Sequence, residues 1–599
     1  MINSKEISVI FKNQEKFRDF SSPTKSHLMF LLRMMLFLGL YSDVVCCMGS
    51  RRVGQRSLVP PPVLPPEEGS RSILYPSDWK PLMAVRDSEG RTWELEDYSF
   101  AGYRQSDEDL PVLESWRQIP VQVNRKVALV QEGQQQPLDL APAILAALNE
   151  AKSTDQPIVL KIPAGFFTLG EPIFIDRDQL VLRGVGPDKT RFFINPDRGA
   201  LTLGTNKGSR YTKDGWVLQK PVERGALSVE VKSSDGLSVG DDIVIKWRVS
   251  AEFAEEYKSG TWWREKPEKE AGIGGYVENF RRVIKRIDGD TIFFDAPMPL
   301  ALSLRDEVAV HKFTAIVHDV GLEDLGISTA FPSREQAWSA STERLMQPLN
   351  ILYCRDCWMK NIRSFESNDA SEHLAGHGLK VDQAFRITLA SIQLGPTQNL
   401  GGNGNGYLFM LGQVNHVLVK ECGAVGGRHN LTFLGYLGSS QNVVTSFTSR
   451  GGRICENFEQ LKMEKCGEGY IDTHHPLAIS NLIENSTIDD GIYFGNRQWK
   501  SNYVGQTATQ NVIWNVRGAG KIFSFNVGKG YVIGTGPEIT VLRETNGGKI
   551  STAQKMSSLE EEAMYGTEPA DFVEYLQTAE TIVPKSLFND QRNRRVKRS

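Results

Sequence analysis

Basic and acidic side chains gather in the second half of the chain, at the edges of two apolar runs. Five of them border these runs: Arg428, His429, Asp472, His474 and His475. Such a set suits removal of a proton next to a carboxylate, because a cation neutralises the carboxylate and an imidazole of tuned pKa acts as base or acid. An aspartate beside a histidine orients the ring and favours the imidazolium. We predict these five residues as catalytic, with one histidine as acid and another as base.

A second polar group lies in neighbouring repeats, and we predict that it holds the substrate: Lys380, Asp382, Tyr436, Asn496 and Arg497. Lysine or arginine in either group can neutralise a carboxylate, and a histidine or Tyr436 can exchange the proton. The carboxylates of Asp382, Asp472 and Glu468 are hard oxygen donors of the kind that Ca²⁺ prefers. Calcium is therefore left open as a cofactor, although no EF-hand or nonapeptide calcium motif is present, and no other cofactor is indicated.

These residues sit on a repeat of short apolar runs with no helical pattern between them. The runs begin near residues 351, 379, 407, 431, 470, 492 and 522, at spacings of 28, 28, 24, 39, 22 and 30 residues. A period in the twenties is typical of a parallel β-helix, in which equivalent positions stack about 4.8 Å apart. The runs at 431 and 470 are then neighbours, their ends converge within about 10 Å, and residues 450 to 468 form a loop beside a groove. A large antiparallel sandwich or barrel is the alternative; it calls for tight hairpin turns between paired strands.

The chain divides into six segments by composition. We predict a signal segment (1–48), a Pro-rich linker (49–70), an N-terminal cap with the first coils (71–204), an inserted β-subdomain (205–312), the main coils (313–550), and a peripheral C-terminal segment with a solvated basic tail (551–599). Within the cap, residues 138 to 151 have the apolar spacing of an amphipathic helix.

Charge and targeting signals narrow the class of protein. The 69 basic and 72 acidic residues give a net charge of -3, which argues against a nucleic-acid partner. The apolar stretch over residues 28 to 40 is short for a membrane span and has the order of a secretory signal. We predict a secreted, periplasmic or cell-surface protein with no membrane span after signal removal, the alternative being an uncleaved anchor. Cys455 and Cys466 can close a disulfide loop in an oxidising compartment; we favour free buried thiols for all five cysteines beyond the signal.

Three short stretches carry a family resemblance: Ala143-Ile-Leu-Ala-Ala-Leu148, Leu160-Lys-Ile-Pro-Ala-Gly165 and Leu182-Arg-Gly-Val-Gly186. They resemble the N-terminal part of pectin-lyase-like (pectate lyase superfamily) proteins of the secreted bacterial type. The resemblance implies an all-β fold, a right-handed parallel β-helix whose open end is capped by a helix. It also implies polysaccharide lyases, glycoside hydrolases or phage-like adhesins, and the fold alone does not choose among them.

We predict a polysaccharide lyase that cleaves an acidic, uronate-containing polymer by β-elimination. A glycoside hydrolase on the same fold is the first alternative and requires two carboxylates, for which Asp382 with Asp472 is open. The motifs Gly376-His377-Gly378 and Asp489-Asp490 occur in polygalacturonase-like enzymes but stand here in reversed order, so that assignment is not favoured. A non-catalytic, polysaccharide-binding adhesive protein is the second alternative.

Overall fold

The computed structural model describes residues 69–123, 137–195, 199–204, 211–259, 263, 276–314, 316–339, 347–367, 370–401, 404–434, 437–455, 466–497, 504–543 and 570–598. They belong to one compact unit, residues 66 to 599. The predicted signal segment and nearly all of the Pro-rich linker lie outside the described residues. No helix among the described residues is long and apolar enough to cross a membrane.

Ten short strands form one parallel sheet, called the front sheet. They are β1 (Ile173–Ile175), β2 (Leu201–Gly204), β3 (Leu349–Leu352), β4 (Leu379–Asp382), β5 (Tyr407–Leu411), β6 (His429–Phe433), β7 (Ile471–Thr473), β8 (Gly491–Phe494), β9 (Lys521–Ser524) and β10 (Thr540–Leu542). Strands that follow each other in this order pair side by side and in parallel. The seven predicted runs coincide with β3 to β9 to within about two residues. One apolar position repeats from coil to coil and stacks inward, as Leu379, Phe409 and Leu431 do.

Two further parallel faces complete each coil. The second face contains Arg117–Pro120, Ile158–Lys161, Leu180–Arg183, Val320–Ser328, Trp358–Ser364, Thr388–Leu394, Leu418–Lys420, Val443–Thr445, Leu482–Glu484, Val512–Val516, Tyr531–Thr535 and Phe572–Glu574. The third face contains Leu138–Asp139, Gly165–Thr168, Thr190–Phe193, Gly423–Val425, Thr448–Arg450 and Thr487–Ile488. The C-terminal ends of the three longest strands of the second face, Val320–Ser328, Trp358–Ser364 and Thr388–Leu394, also belong to it. The fold is a right-handed parallel β-helix, as predicted, and the antiparallel alternative is wrong.

A row of buried amides runs inside the coils. The side-chain amide of Asn442 donates to Asn481 at 2.8 Å, that of Asn481 to Asn511 at 3.0 Å, and that of Asn511 to Asn526 at 2.9 Å. The amide of Asn526 donates in turn to the carboxylate of Asp571 at 2.8 Å. Each asparagine thus satisfies its neighbour in the next coil, which stabilises the stacking of the coils.

The cap helix α1 (Ala141–Ala151) covers one end of the core with Ile144 and Leu148. It begins three residues later than predicted, because Leu138–Asp139 forms a strand and the Asp139 carboxylate accepts from the Ala141 amide at 3.0 Å. A carboxylate at this place satisfies an otherwise unpaired amide of the first turn.

An antiparallel subdomain is inserted between β2 and β3. Its six strands, in sheet order, are Trp216–Val217, Ala309–Lys312, Asp242–Arg248, Tyr276–Asp288, Thr291–Phe294 and Ser228–Glu230. Helix α2 (Ala251–Glu256) belongs to it, and helix α3 (Arg334–Ser339) follows it. Its apolar core continues into Leu437, Leu477 and Ile479 of the β-helix. The subdomain therefore packs directly beside the coils that carry the predicted site.

The C-terminal segment is not peripheral where the structure describes it, which corrects the prediction. Phe572–Glu574 pairs with the preceding coil, and helix α4 (Leu587–Val596) buries Leu587 and Phe588. Three of its basic residues, Arg592, Arg594 and Arg595, are engaged rather than solvated, Arg595 with Asp107 at 2.8 Å, whereas Lys597 and Arg598 beyond it are exposed as predicted. The sequence pattern missed this because the apolar side of α4 consists of only a few residues.

The remaining short strands close hairpins and corners: Val85–Arg86 with Thr92–Trp93, Val317–His318 with Cys354–Arg355, Ala478–Ile479 with Ala508–Thr509, and Arg453–Cys455 with Cys466–Glu468. The last pair is a hairpin closed by a disulfide between Cys455 and Cys466. Our preference for free thiols is wrong for these two cysteines; Cys354, Cys357 and Cys422 are free and buried.

Candidate active site

The predicted strands at 431 and 470 are neighbours in the front sheet despite the 39 residues between them. Thr432 of β6 lies opposite Asp472 of β7. Part of the intervening chain forms the disulfide-closed hairpin at the place where a loop was predicted. Arg428 and His429 thereby meet Asp472 and His474 on the outer face of one sheet.

Asp472 is the centre of this cluster and is fully buried. One nitrogen of Arg497 donates to both carboxylate oxygens at 2.7 Å, and Nδ1 of His474 lies 2.7 Å from Oδ2. Burial acts to raise the pKa of Asp472, but the charge of Arg497 and the hydrogen bond from His474 hold it well below its ordinary value. Asp472 is therefore an anion, and its oxygens accept hydrogen bonds only.

Tyr407 and His474 continue the hydrogen-bond chain that starts at Asp472. The Asp472 anion fixes the proton of His474 on Nδ1, so Nε2 accepts from the Tyr407 hydroxyl at 2.9 Å. Burial and the charge of Arg497 hold the pKa of His474 well below its ordinary value despite Asp472. Asp472 does favour the imidazolium, as expected, but desolvation and a second cation outweigh this one carboxylate, so the ring is neutral.

His429 lies on the other side of Asp472. Its Nδ1 donates to the Tyr470 carbonyl oxygen at 3.1 Å. Burial lowers the pKa of His429 to about 4 although Asp472 opposes the shift, so the ring is neutral at neutral pH and Nε2 carries a lone pair. This Nε2 atom lies 3.4 Å from Asp472 Oδ2 without a hydrogen bond. A proton added to Nε2 therefore has the Asp472 carboxylate as its acceptor.

Sequence reasoning missed Tyr407 and His377 as members of the site. The centre of the Tyr407 ring lies 5.0 Å from that of His429 and 5.7 Å from that of His377. His377, Tyr407 and His429 each stand two residues before one member of the stacked apolar row. These members are Leu379, Phe409 and Leu431, so the coils place the three polar residues in one row as well. Aligning the coils on those apolar residues reveals the row in the sequence.

Several buried polar atoms around this cluster have no hydrogen-bond partner. They are His377 Nδ1, Asn405 Oδ1, Arg428 Nε, His429 Nε2 and Thr432 Oγ1. Buried polar atoms are nearly always satisfied in native proteins, so such a concentration indicates a place where another molecule supplies the missing partners.

The other predicted residues lie at various distances from Asp472. Lys380 and Asp382 pair with each other at 2.8 Å and stand three strands away, roughly 14 Å. Asn496 is buried next to Arg497, and His475 stacks edge-on against His474 with burial lowering its pKa to about 4. Tyr436 lies outside the described residues.

The separation of Asp382 from Asp472 bears on hydrolysis. Glycosidases hold their two carboxyl groups roughly 5 to 9.5 Å apart, less than the three strand spacings between these residues. This pair therefore does not have the geometry of a hydrolytic dyad. The catalytic roles of all the predicted residues remain predictions.

The donor set does not fit calcium. Atoms of His429, Asp472 and His474 lie within 4.8 Å of one another, but two are nitrogens, and Ca²⁺ takes about six to eight oxygens. The guanidinium of Arg497 already binds the carboxylate on both oxygens. Glu468, a further candidate ligand, pairs instead with Lys521 at 2.9 Å.

Comparison with known proteins adds little to this picture. No protein-family model and no curated protein sequence matches the chain. Among solved structures, a tailspike of Pseudomonas phage phi297 is 13% identical, with 71% of this chain and 70% of that chain covered and a TM-score of 0.41. An endo-xylogalacturonan hydrolase from Aspergillus tubingensis is 11% identical (76% and 93% covered, TM-score 0.32). The A-module of a mannuronan C-5 epimerase from Azotobacter vinelandii is 10% identical (68% and 78%, 0.28). At these scores the likenesses carry no argument about activity, and the fold assignment rests on the strand register described above.

Proposed function

We propose that this protein is a polysaccharide lyase that cleaves a uronate-containing polymer by β-elimination. The observation that carries the proposal is the buried hydrogen-bond chain from Asp472 through His474 to the hydroxyl of Tyr407, with Arg428 beside that hydroxyl. This arrangement prepares a phenol to give up its proton among buried polar side chains. A phenolate is a base strong enough for the weakly acidic proton next to a carboxylate.

Tyr407, His474 and Asp472 supply every proton transfer that the elimination requires. Neutral His474 takes the Tyr407 proton on Nε2, and Asp472 stabilises the resulting imidazolium, as a carboxylate does in other histidine relays. The phenolate then removes the proton α to the uronate carboxylate. The electron pair of that C–H bond forms the new carbon–carbon double bond, and the bond to the leaving glycosidic oxygen breaks. Tyr407, now protonated again, gives this proton to that oxygen, and the imidazolium of His474 then returns its proton to the phenolate across their hydrogen bond.

Arg428 is the better candidate for neutralising the substrate carboxylate. Its Nη1 lies 3.5 Å from the Tyr407 hydroxyl, and its Nε is buried without a partner. Arg497, in contrast, already binds both oxygens of Asp472. We assign Arg428 to the substrate and Arg497 to holding Asp472 as an anion.

We also propose that the protein acts outside the cytoplasm, on an acidic polysaccharide. The disulfide between Cys455 and Cys466 supports an oxidising compartment. The apolar stretch over residues 28 to 40 has the order of a secretory signal.

Incubation with a panel of acidic and neutral polysaccharides tests the reaction class. A lyase generates unsaturated products that absorb in the ultraviolet. New reducing ends without that absorbance indicate a hydrolase and overturn the proposal. Binding without either product indicates an adhesive protein and overturns it as well.

A further inference from the structure

The backbone of Arg428 is held by the base of the disulfide-closed hairpin. The amide of Arg453, in the first strand of that hairpin, donates to the carbonyl oxygen of Gly427 at 2.9 Å. Gly469 closes the other side of this contact. A Cβ atom on Gly469 would lie 2.6 Å from the Arg428 carbonyl oxygen and 2.6 Å from the Arg453 amide nitrogen. Only glycine allows so close an approach of backbones, so the hairpin base and the chain at Arg428 are in direct contact.

The guanidinium of Arg428 is held through a second contact of the same hairpin. Its Nη1 donates to the carbonyl oxygen of Gly401 at 3.3 Å. The residue before Gly401, Leu400, accepts at its carbonyl oxygen from the amide of Cys455 at 3.2 Å. One end of the disulfide thus holds the peptide next to the one that orients the guanidinium. Both the backbone and the side chain of Arg428 therefore depend on contacts of the hairpin that lie one residue away.

The disulfide between Cys455 and Cys466 joins the pair of residues farthest from the hairpin base. The two strands that it joins are only three residues long, and a two-stranded hairpin without further support is marginally stable in water. Ile454 packs on a buried aromatic cluster of the front sheet, which holds the hairpin by other means. Opening the disulfide therefore releases Cys455, and with it the hold on Leu400, without detaching the hairpin from the coils.

We infer that the disulfide between Cys455 and Cys466 positions Arg428 and thereby sets the affinity for the substrate carboxylate. The inference rests on the proposed function, in which Arg428 binds that carboxylate. A guanidinium makes paired, charge-assisted hydrogen bonds to a carboxylate only when its plane is correctly oriented. Loss of this orientation weakens binding of the polymer, whereas the hydrogen-bond chain from Asp472 to Tyr407 keeps its contacts and transfers protons as before.

Reduction with dithiothreitol tests the inference on a uronate polymer identified from the panel. Dithiothreitol gives two electrons and two protons to the disulfide, leaves two thiols and itself closes into a cyclic disulfide; alkylation and mass spectrometry confirm the two new thiols. KM is expected to rise about tenfold, the equivalent of one charge-assisted hydrogen bond, with kcat changed by less than about twofold. The double variant Cys455→Ser, Cys466→Ser should show the same KM without dithiothreitol and should not respond to it.

The same reduction in an Arg428→Ala background separates positioning from a general structural role. Because both changes then remove one and the same interaction, reduction should alter kcat/KM of this variant by less than about twofold. A tenfold effect that persists in Arg428→Ala shows that the hairpin acts elsewhere and overturns the inference.

Two further results also decide against the inference alone. One is an unchanged KM in the fully reduced wild-type protein. The other is loss of the folded coils on reduction, measured by circular dichroism, since the disulfide then stabilises the fold as a whole. Absence of unsaturated products from every form overturns the lyase proposal and this inference with it.

Discussion

Two sets of buried polar side chains in this molecule are built by the same stacking of coils. They differ in whether all of their polar atoms have hydrogen-bond partners. In the amide row inside the coils, Asn442, Asn481, Asn511 and Asn526 each hydrogen-bond to the next. In the cluster outside the front sheet, atoms of His377, Arg428, His429 and Thr432 are buried without partners. Complete hydrogen bonding marks the first set as structural. A buried polar atom without a partner costs free energy that a bound ligand recovers, so incomplete hydrogen bonding marks the second set as a binding site. The following variants test whether this distinction holds.

The largest effect is expected from Tyr407→Phe. Removing the hydroxyl removes the proposed base while keeping the ring contacts with His377 and His429, so kcat should fall about 1,000-fold, with KM nearly unchanged. The midpoint of urea unfolding should fall slightly, by the equivalent of about 1 kcal/mol, because Nε2 of His474 loses the hydroxyl that donates to it at 2.9 Å. A variant that keeps more than a tenth of the wild-type kcat on the same uronate polymer contradicts the role of Tyr407.

Asn481→Ala is expected to lower stability and to leave activity unchanged. It leaves the amides of Asn442 and Asn511 without their partner in the core, which should lower the free energy of unfolding by about 3 kcal/mol. The folded variant should retain wild-type kcat. Asn485→Gly is the matched control: this corner asparagine makes one exposed bond to Ser446 and has a left-handed backbone that glycine adopts without strain, so its replacement should cost no more than about 1 kcal/mol. Equal costs for the two variants contradict the structural role of the row.

The two regions should also respond oppositely to pH. The pKa of His429 is lowered to about 4 by burial, so the unfolded chain takes up a proton below about 6.5 that the folded chain refuses. Its contribution to stability is complete above pH 6.5 and is lost as the pH falls toward 4. Burial raises the pKa of Asp571, at the end of the amide row, to about 6. Its contribution is present below the ordinary pKa of 3.8 and is lost as the pH rises through 6.

Urea unfolding between pH 4 and 7.5 measures both contributions, each about 2 to 3 kcal/mol. His429→Asn should flatten the loss of stability on acidification. Asp571→Asn should raise stability above pH 6 relative to wild type. An unchanged pH profile in either variant means that the corresponding group does not titrate as described.

The smallest effect is expected from Arg428→Lys. Lysine keeps the charge but loses the planar, multidentate guanidinium that suits a carboxylate, so KM for the polymer should rise about tenfold. Arg497→Lys is the informative comparison, because Arg497 binds Asp472 rather than substrate in the proposal. It should lower kcat and leave KM nearly unchanged. A rise in KM in Arg497→Lys and not in Arg428→Lys means that Arg497, rather than Arg428, binds the substrate carboxylate.

The sequence by itself determined the scaffold of this protein. Apolar runs recurring every 22 to 39 residues predicted the strands of the front sheet, because an inward position must be apolar in every coil. The same repeat predicted that Arg428, His429, Asp472 and His474 lie together, and the structure places them so. The helix start at residue 141, the packed C-terminal helix and the disulfide are set by single contacts that leave no periodic signal.

Only the tertiary structure decided how the site residues are used. Tyr407 was visible as the start of a strand, but its contact with His474 depends on the exact register of β5, β6 and β7. The protonation of the histidines depends on burial and on the distance to Arg497, and neither can be read from residue types. Lys380 and Asp382 share rows with Asp472 and His474 but stand three strands away. A repeat specifies the row in which a side chain lies, whereas the number of coils between two side chains and the depth of their burial decide whether they can act on one substrate.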